Sequence, residues 1–65
     1  MINYQEWKKL DTKNQISYIG EIVLQLKSLN VTDVKIIRSV LSLHTNNDSK
    51  FLKILDLVLT QVSLI

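Results

Sequence analysis

Apolar residues recur along nearly the whole chain at intervals of three and four, which is the period of a helix and not of a strand. Ile16, Ile19, Ile22, Val23, Leu26 and Leu29 predict one long helix, and Val34, Ile36, Ile37, Val40, Leu41 and Leu43 a second. A third occupies the last fifteen residues, 51–65 (FLKILDLVLTQVSLI). Ahead of them Tyr4, Trp7 and Leu10 recur every third residue, giving a short leading helix whose aromatics lie as a flap over the core. A strand across 34–43 would need strict alternation, which the neighbours Ile36 and Ile37 break.

Polar residues mark the ends. Asn3 with Glu6, and Thr12 with Gln15, have the spacing of capping boxes, in which the cap side chain accepts a backbone N–H and the later residue reaches back. Thr32 is placed to cap the Val34 helix, with Asp33 in its first turn where the helix dipole favours negative charge. The break at 45–48 (TNND) is the clearest in the chain, and Asn47 or Asp48 caps the final helix. Pro is absent and Gly20 is the only glycine, so Asn and Asp turns must join the helices. Short connections favour antiparallel neighbours. The expected fold is therefore all-α: a small compact bundle of three main helices with a short N-terminal helix, forming a single helical domain over 1–65.

The final helix carries more apolar surface than one face holds. Phe51, Leu52, Ile54, Leu55, Val58, Leu59, Val62 and Ile65 fall within an arc of about 160°. Leu57 and Leu64 lie outside it beside Gln61, and are expected to pack on a partner. Gly20 is a second point of interest, because glycine inside a helix costs about 1 kcal/mol relative to alanine. With Leu24 and Lys27 it lies opposite the Ile19, Ile22 and Leu26 stripe, where it is either a tolerated surface residue or lets another backbone come close. Tyr4 and Trp7, beside Lys8 and Lys9, either close one end of the bundle or form a third candidate surface, since aromatics among lysines anchor protein interfaces or stack on bases.

Composition sharpens the question of a partner. In a chain of 65 residues, apolar burial and the entropy of ordering nearly cancel. Without cysteine, and with His44 as the lone histidine, neither a disulfide nor a structural zinc site can supply the margin. Association with a protein partner or with a second copy remains. A net charge of +2 and a pI near 9.1 permit nucleic acid without requiring it. Lys53 and Asp56 interrupt a last helix already too short to cross a membrane, and its polar strip lacks the cations of an interfacial helix. The opening MINYQEWKKL has no secretory apolar region, so a cytoplasmic location is expected.

Catalytic chemistry is not indicated. His44 has no nucleophile or carboxylate at a recognisable spacing and is expected to complete the edge of the core or to favour the helix C-terminus by its charge. No helix carries two carboxylates at i, i+3 or i+4, and no glycine-rich phosphate loop occurs. No enzyme, cofactor, metal or small-molecule substrate is therefore expected.

The stretch 26–41 (LKSLNVTDVKIIRSVL) has a helix, a short turn, an apolar Val31, a capping Thr32 and a helix carrying Lys35 and Arg38. It resembles a helix-turn-helix, with Asn30 in place of the usual glycine. The resemblance implies that the helix at about 32–44 enters the major groove and that Lys35 and Arg38 meet bases or phosphates. Val34, Ile36, Ile37 and Val40, if all turned to the core, would narrow such a reading face. The favoured expectation is a small non-catalytic helical interaction protein, a regulator or inhibitor that docks on a macromolecular partner or self-associates. The richness in Lys, Asn and Ile resembles low-GC bacterial or phage coding, where such inhibitors occur. A helix-turn-helix-like DNA-binding regulator is the alternative.

Overall fold

A computed structural model describes residues 3–62. Four helices follow in order: α1 (Tyr4–Lys9), α2 (Thr12–Ser28), α3 (Val34–His44) and α4 (Ser49–Gln61). This is the all-α arrangement of three main helices and a short leading one that the periodicity predicts.

Each start is held by a side-chain oxygen on otherwise unpaired backbone N–H groups. Asn3 Oδ1 accepts from the Glu6 amide at 3.1 Å. The cap of α2 is Asp11, accepting from the Asn14 amide at 2.9 Å, and not Thr12. Likewise Asp33 caps α3 in place of Thr32, accepting from Lys35 and Ile36. In both corrections the carboxylate one residue away takes the position; its charge gains from the helix dipole as well as from the hydrogen bond. Asp48 caps α4, accepting from Lys50 and Phe51.

The C-terminal ends of α2 and α3 use asparagine where a glycine is usual. Asn30 has φ of 62°, and around it the Val31 amide donates to Leu26 O at 2.8 Å and the Asn30 amide to Lys27 O at 3.0 Å. This pair of bonds ends α2 and turns the chain toward α3. Asn46 and Asn47, with φ of 52° and 56°, close α3 in the same manner, the Asn47 amide donating to Ser42 O at 2.9 Å. Asparagine tolerates this left-handed region better than other side chains do.

Contacts at the two ends set the direction of the helices. Trp7 meets Phe51, near the start of α4, edge-on with ring centroids 4.9 Å apart. Its indole Nε1 donates to Gln15 O, and Gln15 Nε2 donates back to Trp7 O, both at 3.2 Å. At the other end Lys27 Nζ donates to Val62 O at 3.4 Å. α2 and α4 therefore run side by side in the same direction, α3 returns between them in sequence, and α1 closes the end where α2 and α4 begin. α4 packs on both α2 and α3.

The core consists of Trp7, Ile19, Ile22, Val23, Ile37, Leu41, Phe51, Ile54, Leu55, Val58 and Leu59. Every described member of the predicted α4 arc is buried or half-buried; Ile65 lies outside the described residues. Leu29, expected on the α2 stripe, is instead exposed beyond the last turn. His44 is exposed too: it does not complete the core edge but stands in the last turn of α3, the other place expected of it.

Candidate functional site

α3 seats only a narrow stripe on the bundle. Ile37 and Leu41 are buried and Val34 is half-buried. Ile36, Val40 and Leu43, expected in the core, point outward instead: Leu43 is 81 % exposed and Ile36 55 %. Their spacing of i, i+4 and i+7 puts them on one side of the helix, within an arc of about 60°. Beside them Lys35, Arg38, Ser39 and Ser42, at i, i+3, i+4 and i+7, form an adjacent polar arc of about 100°. The physical reason is position. α3 is an outer helix that rests mainly on α4, so it needs a seam one or two residues wide, whereas α4 lies between two neighbours and needs a broad one.

Two concavities flank this helix. Between the end of α2 and α3 lies a groove of about 60 Å³ lined by Leu26, Val31, Ile36, Ile37, Val40 and Leu41. On the polar side a wide, shallow depression of about 630 Å³ runs along Lys35, Arg38, Ser39, Ser42, Leu43 and Asn47. Arg38 Nε donates to Asp56 Oδ1 on α4 at 3.1 Å, with both side chains 47 % exposed. Exposed pairs of this kind contribute about 0–1 kcal/mol and are weakened by salt. Lys35 forms no ion pair among the described residues.

The sequence-predicted surfaces separate in space. Leu57 is 48 % exposed on the outer side of α4, as expected of it, while Leu64 lies outside the described residues. Leu24 is half-exposed on α2. A Cβ built on Gly20 meets nothing within 4 Å, so no part of this fold needs a glycine there. Tyr4 and Trp7 do not form an open platform. Trp7 is 1 % exposed, and Tyr4 stacks on it with centroids 6.0 Å apart while Lys8 Nζ sits 5.1 Å above the Tyr4 ring. Trp7 is therefore core and no contact surface: of the two expectations for this pair, closure of one end of the bundle holds.

Tyr4 also clasps α4. Its hydroxyl donates to Asp48 Oδ2. That bond pushes the Tyr4 hydroxyl pKa above its ordinary value. The same bond, aided by the Phe51 and Lys50 amides and the Lys8 charge, holds the Asp48 carboxyl below the usual carboxylate range against the opposing effect of burial.

The outward apolar residues of α3 are those that sequence reasoning assigned to the core. A signal was present: the six apolar residues of α3 span an arc of about 180°, wider than the arc of about 160° that singled out α4. Periodicity alone does not say which part of so wide an arc is seated.

Comparison with protein-family models, curated proteins and solved structures finds no match to this chain. The class defined by the fold is a small all-α bundle, and its most distinctive surface is the two-sided outer face of α3. Among the described residues no helix is long and apolar enough to cross a membrane, and no cluster of three or more His, Asp or Glu residues is placed to hold a metal ion.

Proposed function

We propose that this chain is a small non-catalytic interaction protein that acts by docking its outer helix, α3, on a macromolecular partner or on a second copy. One observation carries the reading: Ile36, Val40 and Leu43 are exposed together on one side of a well-capped helix, next to an apolar groove. Large aliphatic residues on a surface are ordinary when scattered; aligned along one helix and continuous with a groove, they mark a contact. Occupying a site on another macromolecule is a mode of action suited to a regulator or inhibitor, and a reducing cytoplasm suits a chain free of cysteine.

The reading requires that these side chains be surplus to folding. Ile36→Asp with Leu43→Asp should leave helical circular dichroism and the urea midpoint within about 0.5 kcal/mol of the parent, as is usual for exposed sites. A collapse of the fold would make them structural and remove the basis for the proposal. Light scattering across concentration then separates the two forms of docking: a dimer abolished by the double substitution assigns the face to self-association, and a monomer assigns it to a foreign partner.

DNA binding is a second reading, favoured by the shared outward side of Lys35, Arg38, Ser39 and Ser42. The apolar residues do not compete for that side, since Ile36 and Val40 turn outward on another arc. Lys35→Ala with Arg38→Ala should then weaken duplex binding and lower the slope of log affinity against log salt by about one per phosphate contact removed. An unchanged slope rules the reading out.

A further inference from the structure

We infer that α3 pairs with α3 of a second copy of this chain, antiparallel about a two-fold axis beside Val40, with Ile36 against the partner's Leu43 and Asp33 beside the partner's His44. This rests on the docking reading above and names its partner.

The apolar stripe is complementary to itself. Ile36 and Leu43 stand equally far along α3 from a point next to Val40, so a two-fold axis there sets each Ile36 opposite the partner's Leu43 and brings the two Val40 side chains together. The groove of about 60 Å³ between the end of α2 and α3 opens beside Val40, on the side where the partner's Val40 arrives.

Charge selects the same occupant and the same direction. Asp33, the cap of α3, and His44, its last residue, are both exposed and lie at opposite ends of the stripe. Projected down the helix axis they fall about 20° and 40° from Val40, on the side away from Ile36 and Leu43. An antiparallel two-fold therefore puts Asp33 and the partner's His44 on one side of the interface, about 3 Å apart along the axis, and repeats the pair at the other end. Among the described residues Asp33 caps the Lys35 and Ile36 amides through Oδ1, so Oδ2 can accept from the imidazole. An imidazole donates an N–H whether neutral or charged. Parallel pairing would instead bring Asp33 to Asp33, and like charges oppose association. Lys35 and Arg38 do not hinder the antiparallel pair: they lie on the far side of Ser39 from the stripe, and Arg38 is already engaged by Asp56. A foreign helix would need the same aliphatic, acidic and imidazole groups in reversed order, which a second copy supplies by symmetry.

The test uses the full chain. Light scattering across concentration should reach twice the chain mass, and Val40→Asp should weaken the dimer at least tenfold with helical circular dichroism intact. Single cysteines then read the direction, since the chain has none of its own. Val40→Cys should cross-link to itself under mild oxidation. Ile36→Cys should not, because its two copies lie about 10 Å apart along the axis, but it should cross-link to Leu43→Cys when the two variants are mixed. His44→Asp should weaken the dimer at least tenfold by facing two carboxylates. Adding Asp33→Asn, which keeps a capping side chain, should restore it, a rescue that loss of folding cannot produce. A chain that stays monomeric up to about 1 mM, a dimer in which Ile36→Cys cross-links to itself, or a dimer indifferent to His44→Asp overturns the inference. The docking reading survives a monomer if Ile36→Asp with Leu43→Asp leaves the fold unchanged, and falls if that double substitution unfolds the chain.

Discussion

Trp7 joins three elements at once: it stacks with Tyr4 in α1, exchanges hydrogen bonds with Gln15 of α2 and meets Phe51 of α4 edge-on. Trp7→Ala should cost about 3–5 kcal/mol. That is comparable to the whole stability of a domain this small, so the variant should lack helical circular dichroism at 25 °C. Gly20 behaves oppositely. Its surroundings are open, so Gly20→Ala should raise stability by about 0.5–1 kcal/mol in urea unfolding. A loss instead would show that something presses on that backbone in solution. At Asp48 the lowered carboxyl pKa has a defined sign. Stabilisation from the ionised form is present above the unfolded carboxylate value of about 3.9 and is lost as pH falls through the lower folded value. For Tyr4 the raised value means that stabilisation is present below about pH 10 and is lost as pH rises through the folded value. The unfolding midpoint should therefore fall at both extremes, and Asp48→Asn should flatten the acid side while keeping a capping side chain.

Among the elements, the helix starts give the sharpest local test. Asp11→Ala should cost about 1 kcal/mol, whereas Thr12→Ala should leave the unfolding midpoint nearly unchanged, because the Asn14 amide donates to Asp11. The same contrast separates Asp33 from Thr32. Sequence spacing located each start to within one residue. It did not decide between two adjacent capping residues, since either can accept the same amides until the backbone torsions are known. Helix ends were easier to read: Asn30 and the asparagines of 45–48 break the apolar period, and these residues tolerate left-handed torsions. The core face of α4 was equally legible, because a helix held between two neighbours buries a wide arc and its pattern admits one orientation. α3 was not legible in this way. Its apolar arc is wider than its seam, and the rotation that buries Ile37 and Leu41 while leaving out Ile36, Val40 and Leu43 follows from the position of α4.

For the whole molecule, the ion pair between α3 and α4 should matter little to stability. Arg38→Ala should shift the unfolding free energy by less than about 1 kcal/mol, and less still at high salt, because both partners are half in water. A larger loss would mean that the pair holds α3 in place. The wide arcs in the sequence announced that the chain carries more apolar surface than it can enclose, but they pointed to Leu57 and Leu64 on the last helix. The assembled bundle places most of the described surplus on α3 and its turn, at Leu29, Val31, Ile36, Val40 and Leu43, with Leu24 on α2 and Leu57 on α4 as outliers. By itself the sequence determined the helical class, the number of helices among the described residues and each helix start to within a residue or two, because periodicity and capping act over a few residues and leave a local trace; it did not show that the last helix stops at Gln61. Only the tertiary structure decided that Trp7 is a closed part of the core and no contact surface, and that Ile36, Val40 and Leu43 turn outward beside the polar side of α3. Those outcomes depend on how many neighbours each helix has, and packing between segments distant along the chain leaves no period to read.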